Sequence, residues 1–381
     1  MSRISILLFA ACAVAGAGFA PAALAQDAGA SRKAAAAPAK KAAAQAAKAN
    51  SADKAPTSAA SAEDPVFKLF RHDLINLLAL SGDGRKQIAA AQIAAPDMSD
   101  ASRSALKKTP ALVKRALELA PQDPLVLWIA ASNACLTHPG CADPAALKTL
   151  QTVDADNAAV WLLGFQDDAD ADKQRAGVAR MAQAQRYDDY WGADVVAVYH
   201  ALEVLPVPKE ITSMGLSSES ARINFATSIA SAFLPVSLQR LHRFCTTLDT
   251  AKEQATISDC IAVARKLESG GAFVAQGIGF AIEEALLAPG VDKDVMAARR
   301  RSAAWQKQKF MELSNRFPRE PQLAAAYIDA LEKNANEPAA VIAFLRGQNQ
   351  HTDPPGDWQP TPPAKTPEAD PFGAPSPAPQ Q

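Results

Sequence analysis

Ala116-Leu117-Glu118-Leu119-Ala120-Pro121-Gln122-Asp123-Pro124-Leu125-Val126-Leu127 holds the end of one helix, a break and the start of the next. A run of strong helix formers needs a breaker, and Pro121 supplies it because proline lacks the backbone N–H and clashes with the turn before it. Asp123 then offers a carboxylate to the unpaired N–H groups of a new first turn. Pro124 takes the helical position where a missing donor costs nothing. The same punctuation stands at Asp64-Pro65, Asp143-Pro144 and Glu337-Pro338. Phe67, Phe70, Leu74 and Leu77 return at intervals of three and four, as do Leu112, Ala116 and Leu119, while Ile223, Ile229 and Phe233 follow at six and four, still on one helix face. Each set predicts one buried stripe per helix. The pattern predicts about a dozen helices of roughly 10 to 20 residues with short links, and no strand alternation is found.

Composition agrees. The 381-residue chain is rich in alanine and only 6% aromatic. Sheets draw on branched and aromatic side chains, so an all-β fold is excluded. With 39 Lys+Arg against 40 Asp+Glu, the charge balance argues against a nucleic-acid partner.

Asp123, Val126 and Leu127 are echoed by Asn157, Val160 and Trp161, each 34 residues on, and Pro318-Arg319-Glu320-Pro321-Gln322-Leu323 opens a looser third copy. With its Ala-Leu-x-Leu helix ending at a proline, the chain resembles a degenerate tetratricopeptide helical-repeat protein, similar to uncharacterised secreted bacterial proteins of that type. The resemblance covers about residues 111–185 and 317–345 and lacks the family's run of large, Leu-Gly and Tyr positions. It implies an all-α fold of stacked helical hairpins, a TPR-like α-solenoid.

The ends read differently from the middle. Arg3, an apolar centre through Ile6-Leu7-Leu8-Phe9 and the small pair Ala23 and Ala25 predict a cleaved signal peptide over residues 1–25, and so a periplasmic or secreted protein. Residues 26–63 are Ala/Lys-rich and have too little apolar bulk to offset the ordering of their backbone, which predicts a disordered linker. The helical domain is expected over residues 64–348. Residues 349–381 carry ten of the 27 prolines and predict a disordered tail. No segment after the leader is apolar enough for a transmembrane helix.

Four cysteines remain after the leader: Cys135, Cys141, Cys245 and Cys260. An even count in an exported chain predicts disulfides, and proximity favours Cys135 with Cys141 and Cys245 with Cys260, each stapling one helix junction. The competing reading is zinc drawing four ligands from Cys135, His138, Cys141, His242 and Cys245, but the usual paired Cys-x-x-Cys knuckle is missing.

No catalytic, cofactor or metal motif survives inspection. Asp168, Asp170 and Asp172 begin like a calcium loop, yet Lys173 stands where glycine must turn and Ala179 where a glutamate must close the cage. Ser104-x-x-Lys107 has no accompanying Lys-Thr-Gly strand. Gly277-Ile278-Gly279 follows no strand and reads as a close approach of two helices.

Two surface signals remain as candidate partner-binding residues. Tyr187, Tyr190 and Trp191 concentrate aromatics in a chain that has few, either as a binding hot spot or as core packing behind a helix cap. Arg299, Arg300 and Arg301 form a basic stretch, either a solvated face or a site for an acidic partner. The function expected is an exported scaffold or adaptor for a protein or peptide partner in the cell envelope. The alternatives are an envelope enzyme with an unrecognised active site and a surface component held by its basic Ala/Lys tail.

Overall fold

The computed structural model describes residues 65–95, 105–133, 143–165, 170–212, 215–232, 237–334 and 336–360. Among them the regular structure is helical: α1 (Pro65–Ala79), α2 (Gly84–Ala94), α3 (Ala105–Leu119), α4 (Pro124–Asn133), α5 (Pro144–Val153), α6 (Ala158–Leu162), α7 (Ala171–Gln183), α8 (Trp191–Leu202), α9 (Lys209–Thr212), α10 (Ser218–Ala232), α11 (Ser237–Thr246), α12 (Gln254–Ser269), α13 (Phe273–Leu286), α14 (Val291–Ser314), α15 (Pro321–Lys333) and α16 (Glu337–Gly347). The one β feature among the described residues is an isolated bridge between Asn157 and Arg186.

The predicted starts are built as their chemistry requires. Asp123 accepts from the N–H groups of Leu125 and Val126, and Asp143 from those of Ala145 and Ala146. Asn157 caps α6 as Asp123 caps α4, and Val160 is buried as Val126 is. The 34-residue echo therefore holds for a cap and for a buried valine three residues on. Asp170 caps α7 through the N–H of Lys173, in keeping with a helix start and not a calcium loop. At Glu337-Pro338 the cap is one residue earlier: Asn336 accepts from Ala339 N–H, leaving Glu337 for another task.

Consecutive helices pair as hairpins, α2 with α3, α4 with α5, α6 with α7, α12 with α13 and α15 with α16. In α12 and α13 the backbones come so close that a Cβ on Gly279 would stand 2.5 Å from the carbonyl oxygen of Ala264. A linear repeat array would confine each pair to its neighbours. Here α8 departs from that plan, packing on α2, α10 and α15 at once. Its sequence suits the position, because Trp191, Val195, Val198, Tyr199, Ala201 and Leu202 are all buried and leave it little polar face.

Cys245 of α11 and Cys260 of α12 form the predicted disulfide, Cα to Cα 5.9 Å, and both are fully buried. That bond removes Cys245 from any zinc set. Cys135, Cys141, the signal peptide and the linker to residue 63 lie outside the described residues. Among those described, no helix is long and apolar enough to cross a membrane. One boundary is corrected: residues 349–360, expected in the tail, are laid along α14, with Trp358 edge-on to Trp305 at 5.2 Å between ring centroids. The rest of the expected tail lies outside the described residues.

Candidate functional site

The aromatic candidates are core. Tyr187, Tyr190 and Trp191 are 3%, 7% and 7% exposed, so none presents a face to a partner. Tyr190 takes a left-handed backbone at the cap of α8, φ 55°, and its ring lies 5.3 Å from that of Trp128. Its hydroxyl donates to Asp154. Asn157 saturates the junction: its Nδ2 donates to Asp154 Oδ2 at 2.9 Å and Asp188 O at 2.8 Å, while its Oδ1 accepts from the N–H groups of Asp188 and Ala159. Polar residues beside these aromatics therefore fix a corner of the fold, which is why the cluster turns inward.

Asp189 continues the same junction to the far end of the chain. Its carboxylate accepts from Trp191 N–H at the start of α8 and from Ala272 N–H at the start of α13. Glu337 accepts from the next N–H, that of Phe273, at 2.7 Å. Burial pushes Asp189 up to about 6 and Glu337 up to about 8. Raised carboxyls of this kind are what acid–base catalysis uses when they face a cleft. These instead close helix ends, so their chemistry is structural.

The arginine candidates are committed internally as well. Arg299 bonds Glu268 at 2.8 Å and also Glu283, both buried, and Arg265 bonds Glu283 from the other side at 2.7 Å. Burial and the neighbouring Glu283 raise Glu268 well above the usual carboxylate range, while Arg299 opposes that rise. Arg300 pairs with Glu284. Arg301 donates to three backbone carbonyls, those of Trp358 at 2.8 Å, Gly356 at 3.0 Å and Pro355. The expected basic face is thus largely neutralised by its own chain, with half-exposed guanidinium groups spent on α12, α13 and the C-terminal segment.

What α14 leaves open lies one turn further on. Trp305 and Lys309, with Gln350, His351, Asp353, Pro354 and Pro355 of the C-terminal segment, line a half-open surface cleft of about 420 Å³. The Lys309 ammonium stands 4.6 Å from the Trp305 ring centroid and bonds Glu312 at 2.7 Å. Trp305 Nε1 donates to His351 O at 2.9 Å, and Gln306 Nε2 to Thr352 O at 3.2 Å. An indole wall, a cation and side chains that donate to backbone carbonyls form the face on which residues 351–358 lie. The lining offers no hydroxyl or thiol nucleophile. Sequence reading passed over this site because proline content suggested a free tail; the signal was Trp358, a large aromatic inside an otherwise small and polar segment. Among the described residues no group of three or more His, Cys, Asp or Glu side chains is placed to hold a metal ion. No family model, curated protein or solved structure matches this chain.

Proposed function

We propose that the chain is an exported, all-helical scaffold or adaptor that binds a protein or peptide partner in the cell envelope, with the cleft on α14 as its docking face. The observation that carries this reading is the set of side chains on one helix face, Arg301, Trp305 and Gln306, each donating to peptide carbonyls beside an open cleft. Tryptophan and arginine are the residues on which binding energy concentrates, and helical-hairpin scaffolds, the repeat reading included, serve to present such faces rigidly. The buried Cys245–Cys260 disulfide fits an oxidising compartment and with it the signal-peptide reading.

The test is affinity capture from an envelope extract of the producing cell, comparing the wild-type chain with Lys309→Glu and Trp305→Ala. A partner held by the wild type and released by both variants, with helical content unchanged by circular dichroism, supports the reading. Equal retention by all three places the partner elsewhere and overturns it.

A further inference from the structure

Residues 351–360 are held on α14 in an unusual manner. Not one of them is buried, so the segment adds nothing to the core. Its attachment is made almost wholly through main-chain oxygens: His351 and Thr352 accept from Trp305 and Gln306, while Pro355, Gly356 and Trp358 accept from the single guanidinium of Arg301. The three acceptors on Arg301 belong to one turn, closed by Trp358 N–H on Pro355 O at 3.1 Å. Prolines suit this role because they carry a carbonyl and no competing N–H, and their fixed φ holds those carbonyls in place before binding. The Trp358 ring adds an edge-on contact to Trp305.

From this geometry we infer that the face of α14 formed by Arg301, Trp305 and Gln306 is a receptor for a proline-led turn in an extended peptide, and that residues 351–358 are its resident, displaceable occupant. The inference rests on the scaffold reading above and names the chemistry of its partner. A segment stitched into the core could not exchange, whereas one held by half-exposed hydrogen bonds can. Asp353 of the occupant and Lys309 of α14 line the cleft that the two form together, so the partner's turn should carry an acidic residue before its prolines. The tether makes the resident segment a competitor at high effective concentration, which sets a threshold any partner must exceed.

The probe is a labelled peptide of sequence His-Thr-Asp-Pro-Pro-Gly-Asp-Trp-Gln-Pro, followed by fluorescence anisotropy. It is titrated into the full-length chain and into a full-length variant whose residues 351–360 are replaced by glycine and serine. The variant should bind at least about ten-fold more tightly than the wild type. Adding Arg301→Ala or Trp305→Ala to it should abolish binding, as should a peptide with both adjacent prolines changed to alanine. A folded variant that ignores the peptide overturns the inference, and so does equal binding by strapped and unstrapped chains. A wild-type chain that dimerises by exchanging this segment also overturns it, since the occupant is then a second copy. If the peptide fails while the envelope partner is still captured through Lys309 and Trp305, the scaffold reading stands and only the proline-turn chemistry falls.

Discussion

A Cβ on Gly270 would stand 2.0 Å from the carbonyl oxygen of Tyr187, so the turn from α12 into α13 closes only on a residue without a side chain. Backbone meets backbone there, and no rotamer change relieves the clash. Gly270→Ala should therefore destabilise the protein by on the order of 3 kcal/mol. Gly277 is the opposite case: it is exposed in the interior of α13, and a Cβ there meets nothing within 4 Å. Gly277→Ala should stabilise by up to about 1 kcal/mol, since alanine loses less backbone freedom in a helix. Thermal melts of the two variants should move in opposite directions; a Gly270→Ala protein with an unchanged midpoint would refute the packing described.

Mildly acid solution should favour the fold. Burial raises Asp194 to about 7, Asp188 to about 7, Asp189 to about 6 and Glu337 to about 8. Between the unfolded carboxylate range near 4 and these values, the native state binds more protons than the unfolded chain. Stability then falls as pH rises through that window. Exposed carboxylates such as Glu320, lowered by its hydrogen bond to Arg316, act in the opposite sense but are screened by water. The urea midpoint should be higher at pH 5 than at pH 8. Asp194 accepts from Gln92 at 2.8 Å, while its other oxygen and that of Gln92 have no partner. Asp194→Asn keeps the acceptor and removes the titration, so it should flatten the slope. A midpoint that rises with pH would refute the assignment.

The disulfide gives a third expectation. Cys245 and Cys260 close a 15-residue separation, for which chain entropy alone contributes about 3 kcal/mol. Non-reducing peptide mapping should recover the two cysteines in one linked fragment, and replacing both by alanine should lower the melting midpoint by several degrees. Recovery of Cys245 linked to Cys135 or Cys141 would contradict the α11–α12 staple. The same map tests the Cys135–Cys141 pairing.

How far the sequence carried depends on the range of each interaction. The caps at Asp123 and Asp143 were legible because a cap bonds N–H groups two or three residues away. The Cys245–Cys260 bond was legible because one helix junction brings its ends together. Asp189 on Ala272, 83 residues apart, and Arg301 on Trp358, 57 apart, leave no local trace. Their partners are chosen by how α8, α13 and α14 pack. Tyr187, Tyr190 and Trp191 stay open between interface and core in the sequence for the same reason: residue type allows both, and contacts such as Tyr190 on Trp128 and Asp154, far along the chain, decide for the core. Arg299, Arg300 and Arg301 read as one basic stretch, yet their acceptors lie on three different parts of the chain.

That division of labour among adjacent arginines is itself testable. Arg299→Ala leaves Glu268 and Glu283, both buried, with the Arg265–Glu283 bond as their remaining ion pair among the described residues. Removing one partner from a buried ionic set leaves uncompensated charge, at a cost of about 3 kcal/mol or more. Arg300→Ala breaks a half-exposed pair with Glu284 and should cost under about 1 kcal/mol. Arg299→Lys keeps the charge but loses the guanidinium fork that spans two carboxylates, so its loss should fall between the two. Urea denaturation of the three variants at one pH decides the order. Were Arg299→Ala as stable as Arg300→Ala, the guanidinium would not be holding the α12–α13 pair, and Arg299 would return as a candidate contact for an acidic partner.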